Sequence, residues 1–225
     1  MKSRQTGFTL VEIAIVLVII GLLLGGILKG QEMIAQAKIK NVIADMTGVS
    51  AAMYSYQDRY RALPGDDKNA GTRWTATTAG NGDGVILGLY NTVTITDETS
   101  KFWHHLRLAG FVAGSGTDQP FNALSGKMGV QTGDGLGLAG GGLGSPPVAP
   151  STIPTVPFTG LILCSANLPD KIAISIDAQS DDGIGTSGTV RGQDQVGVPN
   201  PAIAATSSTF VETGTNNYVV CRTLL

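Results

Sequence analysis

Apolar residues are spread very unevenly along this chain. From Phe8 to Leu28 almost every position is apolar or glycine, and the only charge in those 21 residues is Glu12. As a helix this run is about 31 Å long, the thickness of a bilayer core. After Gln31 the pattern changes. Ile39, Val42, Ile43, Met46, Val49, Met53, Tyr56 and Tyr60 recur at intervals of three and four, which draws one apolar stripe along an amphipathic helix. Neither Pro nor Gly interrupts 31–47, whereas Pro64 stops the pattern and pushes Leu63 out of helical geometry. The prediction is one helix over 8–61. Residues 8–28 are its membrane-spanning half, and 29–61 its amphipathic half, lying on a globular head of residues 62–225.

Within the head the signals are shorter. Thr99–Gly110 predicts a helix with Phe102, Trp103, Leu106 and Ala109 on one side. Lys171–Ala178 suits either a strand or a short helix, and Leu168-Pro169-Asp170, which reads as a helix start, favours the helix. Strands are expected at Val85–Leu89, Thr92–Thr96, Gly160–Cys164 and Tyr218–Thr223. Residues 65–84 are turn-rich. Gly133–Gly160, first Gly-rich and then Pro-rich, reads as a long surface loop. The expected fold class is α+β, a long N-terminal helix packed on a small antiparallel sheet with long loops.

Composition narrows the function. Only 14% of the 225 residues are charged, 31 are glycine, and the net charge is −2. Lys2 and Arg4 form a short basic head ending at Gly7; without them 13 basic residues face 17 acidic ones, a balance of −4. No basic run occurs elsewhere, so nucleic acid is not an expected partner. The two cysteines, Cys164 and Cys221, lack CxxC spacing. Outside the cytosol they read as one disulfide; the alternative is two buried thiols.

Candidate chemistry in the head is sparse. Asn81-Gly82-Asp83-Gly84-Val85-Ile86 resembles the middle of an EF-hand loop, but Ala79 and Tyr90 stand where the first and last acids belong. Asp177, Asp181 and Asp182 form a second acidic group, Asp177 and Asp181 sharing a face if the segment stays helical. Calcium is the candidate ion for both groups, and ordinary Asx and Gly turn chemistry is the alternative. No cofactor is required by any motif. His104 and His105 are adjacent, so on a helix they point about 100° apart and do not form the i, i+4 pair a metal face needs. Gly126-Lys127 lacks the other features of a P-loop, and no G-x-S-x-G is present. Catalysis is not expected.

The N-terminus admits three readings. A secretory signal would be cut near Ala35-Gln36-Ala37, nine residues past the apolar core. A simple anchor leaves Glu12 unexplained, because a carboxylate at a membrane helix centre costs roughly 2.5–3.5 kcal/mol. Cleavage between Gly7 and Phe8 instead creates a new amine four residues from Glu12, and the same amine on a neighbouring subunit can neutralise that acid. Gly21 and Gly25, and likewise Gly26 and Gly30, are spaced for close helix approach or for local flexibility.

Gly7-Phe8-Thr9-Leu10-Val11-Glu12, after a short basic head, resembles the leader junction of type IV pilins and type II secretion pseudopilins. The resemblance implies cleavage after Gly7 by a prepilin peptidase, N-methylation of Phe8, and a role for Glu12 in guiding entry into a filament. It further implies other pilin subunits and an inner-membrane assembly platform as partners. The chain would then be held in the inner membrane by a single span before joining a periplasmic or extracellular filament. Where pilins commonly carry a kinking proline, this chain has Lys29. Lys29, Lys38 and Lys40 follow the span, so orientation rests on the leader resemblance and on the cysteines rather than on charge. In the head, Leu63-Pro64-Gly65-Asp66, Gly80-Asn81-Gly82-Asp83-Gly84, Trp103-His104-His105-Leu106 and Asp177 with Asp181-Asp182-Gly183 resemble a set that recurs in bacterial prepilin-like proteins. The expected role is a structural subunit of a type IV pilus or secretion pseudopilus. The rivals are a membrane-tethered enzyme or sensor and a DNA-binding competence pilin.

Overall fold

A computed structural model describes residues 9–133, 160–195, 197, 199–203 and 207–225. Internal packing divides the chain after Lys38, one unit ending there and the other running from Ile39 to Leu225. The compact head therefore begins inside the segment read as amphipathic.

Helix α1 spans Leu10–Tyr60. It ends where Arg61 takes a left-handed conformation (φ 54°), three residues before Pro64. Up to Leu28 its side chains are exposed on every side, and this is the one stretch among the described residues long and apolar enough to cross a membrane. From Ile39 onward the stripe behaves as its spacing predicts. Ile39, Val42, Met46, Val49, Met53 and Tyr56 are buried together with Ala52, while Ile43 and Tyr60 pack at the margin of the same core.

Two further helices match their sequence signals: α3 (Glu98–Leu108) and α4 (Asp170–Ser180), with a single turn, α2 (Ala70–Arg73), before them. Phe102, Trp103 and Leu106 of α3, and Ile172, Ala173 and Ile176 of α4, join the stripe of α1 in one core.

The sheet is antiparallel and four-stranded, β1 (Met128–Thr132), β2 (Leu161–Pro169), β3 (Val190–Asp194) and β4 (Asn217–Thr223), in the order β1-β2-β4-β3. Successive residues of β2 face opposite sides, as a strand's two-residue period requires. Leu161 and Leu163 enter the main core, whereas Ile162, Cys164 and Ala166 enter a smaller cluster with Tyr90, Val219 and Cys221. Both faces are thus covered.

Strands β2 and β4 coincide with two expected strands, and the other two expectations are corrected. Residues 85–89 and 92–96 are loop and turn. Left-handed Gly84 and Gly88 break the first of them. Ile86 and Tyr90 nevertheless keep buried side chains, and their amides bond to side chains of β1: Ile86 N donates to Thr132 Oγ1 (3.0 Å) and Tyr90 N to Gln131 Oε1 (3.0 Å). The segment lies along the sheet without joining its ladder. The real partners, β1 (MGVQT) and β3 (VRGQD), each carry an internal glycine that hides a strand signal. The backbone of Tyr90 presses against Gly129, and the ring of Phe210 against Gly192, so neither site has room for a Cβ. Residues 134–159 of the expected long loop lie outside the described residues; its flanks meet through Gly133 N donating to Gly160 O at 3.1 Å.

Candidate functional site

Helix α1 begins with a reciprocal cap. Thr9, just before the first helical residue, donates to Glu12 Oε2 from both its backbone N and its Oγ1, each at 2.8 Å. Glu12 N returns a bond to Thr9 Oγ1 at 3.3 Å. This is a capping box, with the acid at the third helical position and at the positive end of the helix dipole. The acid that looked solitary in sequence has partners within its own chain. The local signal for this cap is the spacing Thr9-x-x-Glu12. Two of the four oxygen lone-pair sites remain, and Glu12 is exposed, so a further donor can still reach it. Gly7 and Phe8, the expected cleavage pair, lie outside the described residues.

Around Glu12 the helix offers only apolar surface. Leu10, Val11, Ala14, Ile15, Val18 and Ile19 line a shallow groove of about 420 Å³ along its first turns. Gly21, Gly25, Gly26 and Gly30 have open space where a Cβ would project. The first charges after the apolar run, Lys29 and Glu32, pair at 2.7 Å with both side chains largely in solvent. Such a surface pair contributes little, about 0–1 kcal/mol.

In the head the two cysteines are bonded. Cys164 of β2 and Cys221 of β4 sit directly opposite one another in the ladder, both fully buried, and link residues 57 apart in sequence. The reading as free thiols is set aside.

The two acidic groups differ from their sequence description. The loop that resembled half an EF-hand is tied together internally. Asn81 Nδ2 donates to Asp83 Oδ2 at 2.8 Å, and Asp83 N to Asn81 Oδ1 at 2.9 Å. The carboxylates that approach Asp83 are Asp66 and Glu98, neither of them among the predicted ligands. Both of these are buried, and both oxygens of each accept backbone amides. Asp66 takes Gly82, Asp83 and Gly84; Glu98 takes Asn81 and Leu87. Burial raises the Glu98 carboxyl, an effect these amides oppose and the nearby Asp66 and Asp83 reinforce. Asn81 thus closes a turn with Asp83. The cue to Asp66 was in the sequence, in Leu63-Pro64-Gly65-Asp66, but nothing local ties it to a loop 16 residues on.

Asp177, Asp181 and Asp182 do converge, at the end of α4. Asp177 is fully buried, and burial pushes its carboxyl up to about 6, reinforced by the two neighbouring acids.

The histidines carry no metal geometry. His105 is fully buried, with Nδ1 accepting from Gly65 N at 2.9 Å and Nε2 3.2 Å from Thr78 O. Those partners require a neutral ring protonated on Nε2. Burial is the main cause that lowers its pKa to about 4, and the charges of His104, Lys101 and Arg73 add to it. His105 stacks on Tyr56 of α1 (centroids 6.3 Å apart, planes 12° apart). Tyr56 in turn donates to buried Asp67, whose charge is matched by Arg73. This group fastens the end of α1 to the head.

Residues 2–28 match the family model of the prokaryotic N-terminal methylation motif. No curated protein and no solved structure matches the chain. The chain therefore carries the prepilin-type cleavage and methylation signal found on type IV pilins and pseudopilins.

Proposed function

We propose that the chain is a structural filament subunit of the type IV pilus or type II secretion class. It is cut between Gly7 and Phe8 by a prepilin peptidase, methylated at Phe8, and polymerised through α1. The observation that carries this reading is the methylation motif at 2–28, within which the helix from Leu10 to Leu28 is apolar on every side but for Glu12 and buries none of that surface among the described residues. The disulfide supports an extracytoplasmic head. No catalytic step is assigned to the head.

The physics of assembly follows from the surface of α1. In a bilayer its side chains are already in an apolar medium, so leaving lipid for a helical filament gains no hydrophobic free energy. Packing contacts and polar pairing must supply the driving force. The glycines allow close approach. Glu12 supplies direction, since it attracts the cationic amine exposed at Phe8 of the next subunit, a group ordinarily protonated below about pH 8.

Mass spectrometry of the chain from cells with and without the peptidase tests the processing. The expected product begins at methylated Phe8 and disappears without the enzyme; a mature chain beginning anywhere else overturns the proposal. Glu12→Ala should greatly reduce filament yield while the head stays folded. Filaments at normal yield would exclude the pairing mechanism.

A further inference from the structure

We propose that the head binds a second copy of this chain through two unlike surfaces. The surface around Val93, Ile95 and Phe121 on one copy meets the surface around Ile184 and Val211 on the next. The inference rests on the filament reading and adds to it the parts of the head that touch. In the first surface Val93 is 85% exposed, Ile95 67% and Phe121 63%. Its two loops are tied together. Gln119 Nε2 donates to Thr92 O at 2.7 Å, and Phe121 bridges to Lys127, whose Nζ reaches Asn91 O at 3.4 Å. In the second surface Ile184 and Val211 are each 52% exposed. The residues next to them touch, with Phe210 Cε2 3.0 Å from the point where a Gly185 Cβ would stand.

These surfaces lie at opposite edges of the sheet. The first covers β1: Met128 N donates to Pro120 O at 2.8 Å, and Tyr90 N to Gln131 Oε1. The second covers β3: Gly192 N donates to Gly185 O at 2.9 Å, and Gly192 O accepts from Ser208 N at 2.8 Å. With β2 and β4 between them, β1 and β3 are three strand spacings apart, about 14 Å. Each end of the sheet therefore presents loops with apolar side chains to solvent, in place of a bare strand edge. Single exposed apolar residues need no partner, but groups of them held in place by hydrogen bonds mark interaction sites.

Symmetry selects the occupant. A surface that meets its own copy closes at a dimer. Two unlike surfaces on one chain, related by a rotation that does not close, build an open helical array. The two surfaces also differ in charge. Around the first, Lys101, Arg107 and Lys127 face Asp97 and Asp118, an excess of one positive charge. Around the second, the exposed acids Asp181, Asp182 and Glu212 face Lys171 and Arg191, an excess of one negative charge. Opposite signs favour the unlike pairing and oppose contact of either surface with itself. Ile95 also walls a cleft of about 240 Å³ with Ala76, His104 and Thr117, a recess that a branched side chain of the partner surface can enter.

The test uses the full-length chain in the cells that make it, carrying Ile95→Cys and Val211→Cys together or singly. Both positions are exposed, and the native cysteines are buried and bonded to each other. The probe is a short bis-maleimide, which cannot span the sheet within one copy. The paired variant should give a ladder of dimer, trimer and larger species on a denaturing gel, because each copy joins two neighbours. Each single variant should stay a monomer. Adding Val93→Asp should remove most of the ladder without moving the head's unfolding midpoint, since Val93 is exposed. The proposal is overturned by the absence of a ladder, by a ladder that Val93→Asp leaves undiminished, or by a single variant that links to a second copy or to another protein. The N-terminal mass of the same chain reports the filament reading separately. A chain that begins at Phe8 and gives no ladder overturns the head contact alone. A ladder from a chain that begins elsewhere keeps the contact and overturns the filament reading.

Discussion

The two halves of α1 place apolar residues in opposite settings. Along Leu10–Leu28 they point in all directions and stay exposed. Along Ile39–Tyr60 they form one stripe and bury it against α3, α4 and the sheet. A stripe is enough when the partner is on one side, as the head is. Apolar surface on every side calls for partners on every side, and only lipid or several neighbouring helices provide them. The angular width of the apolar surface thus separates a segment that folds with its own chain from one completed by other molecules.

The largest effect expected from breaking this contrast is in the stripe. Met53→Ala, at a fully buried site, should destabilise the head by about 2–5 kcal/mol. Leu17→Ala, at a site 65% exposed, should change head stability by less than about 0.5 kcal/mol while lowering filament yield. Chemical denaturation of the head and electron microscopy of sheared filaments read the two effects, and equal head destabilisation by both variants would erase the distinction.

A somewhat smaller effect should come from pH. His105 supports the stripe by stacking on Tyr56, and it is neutral when folded. With a folded pKa of about 4 against an ordinary 6.5, the unfolded chain binds more protons between those values. Stability from this residue is complete above about pH 6.5, is lost as pH falls toward 4, and changes no further below that, a span of at most about 3 kcal/mol. His105→Gln keeps a side chain able to accept from Gly65 and should flatten the denaturation profile over this window. An unchanged slope would assign the acid sensitivity to other groups.

The smallest effect is at the start of the exposed half. Thr9→Val removes the hydroxyl of the capping box and should weaken the first turn by about 1 kcal/mol. Faster amide exchange at residues 11–13, with no change in the head's unfolding midpoint, is the expected result. A shifted head midpoint would mean that the two halves respond as one unit.

How far each feature could be read from residues depended on its range. Helices α1, α3 and α4 were legible because their periodicity and boundaries are local. Strands β2 and β4 were legible because both are apolar runs. The Asp66–Gly82 contact was not, since a carboxylate meets amides of a loop that only the folded chain brings near. Convergence of Asp177, Asp181 and Asp182 was legible from helix spacing, but that Asp177 Oδ2 lacks a hydrogen-bond partner among the described residues depends on which amides surround it.

By itself the sequence determined the methylation signal, the apolar span with its one acid, the stripe and the three longer helices, since each depends on neighbours within a turn or two along the chain. Tertiary structure decided the rest. Glycine-bearing β1 and β3 are strands by pairing with β2 and β4, and Tyr90 and Phe210 pack where a Cβ at Gly129 and Gly192 would stand. The 85–96 segment lies outside the ladder, with the amides of Ile86 and Tyr90 bonded to side chains of β1 and those of Val85 and Leu87 to Asp83 and Glu98. The physical reason is that hydrogen-bond partners and close contacts between distant segments are set by packing, which local pattern does not encode.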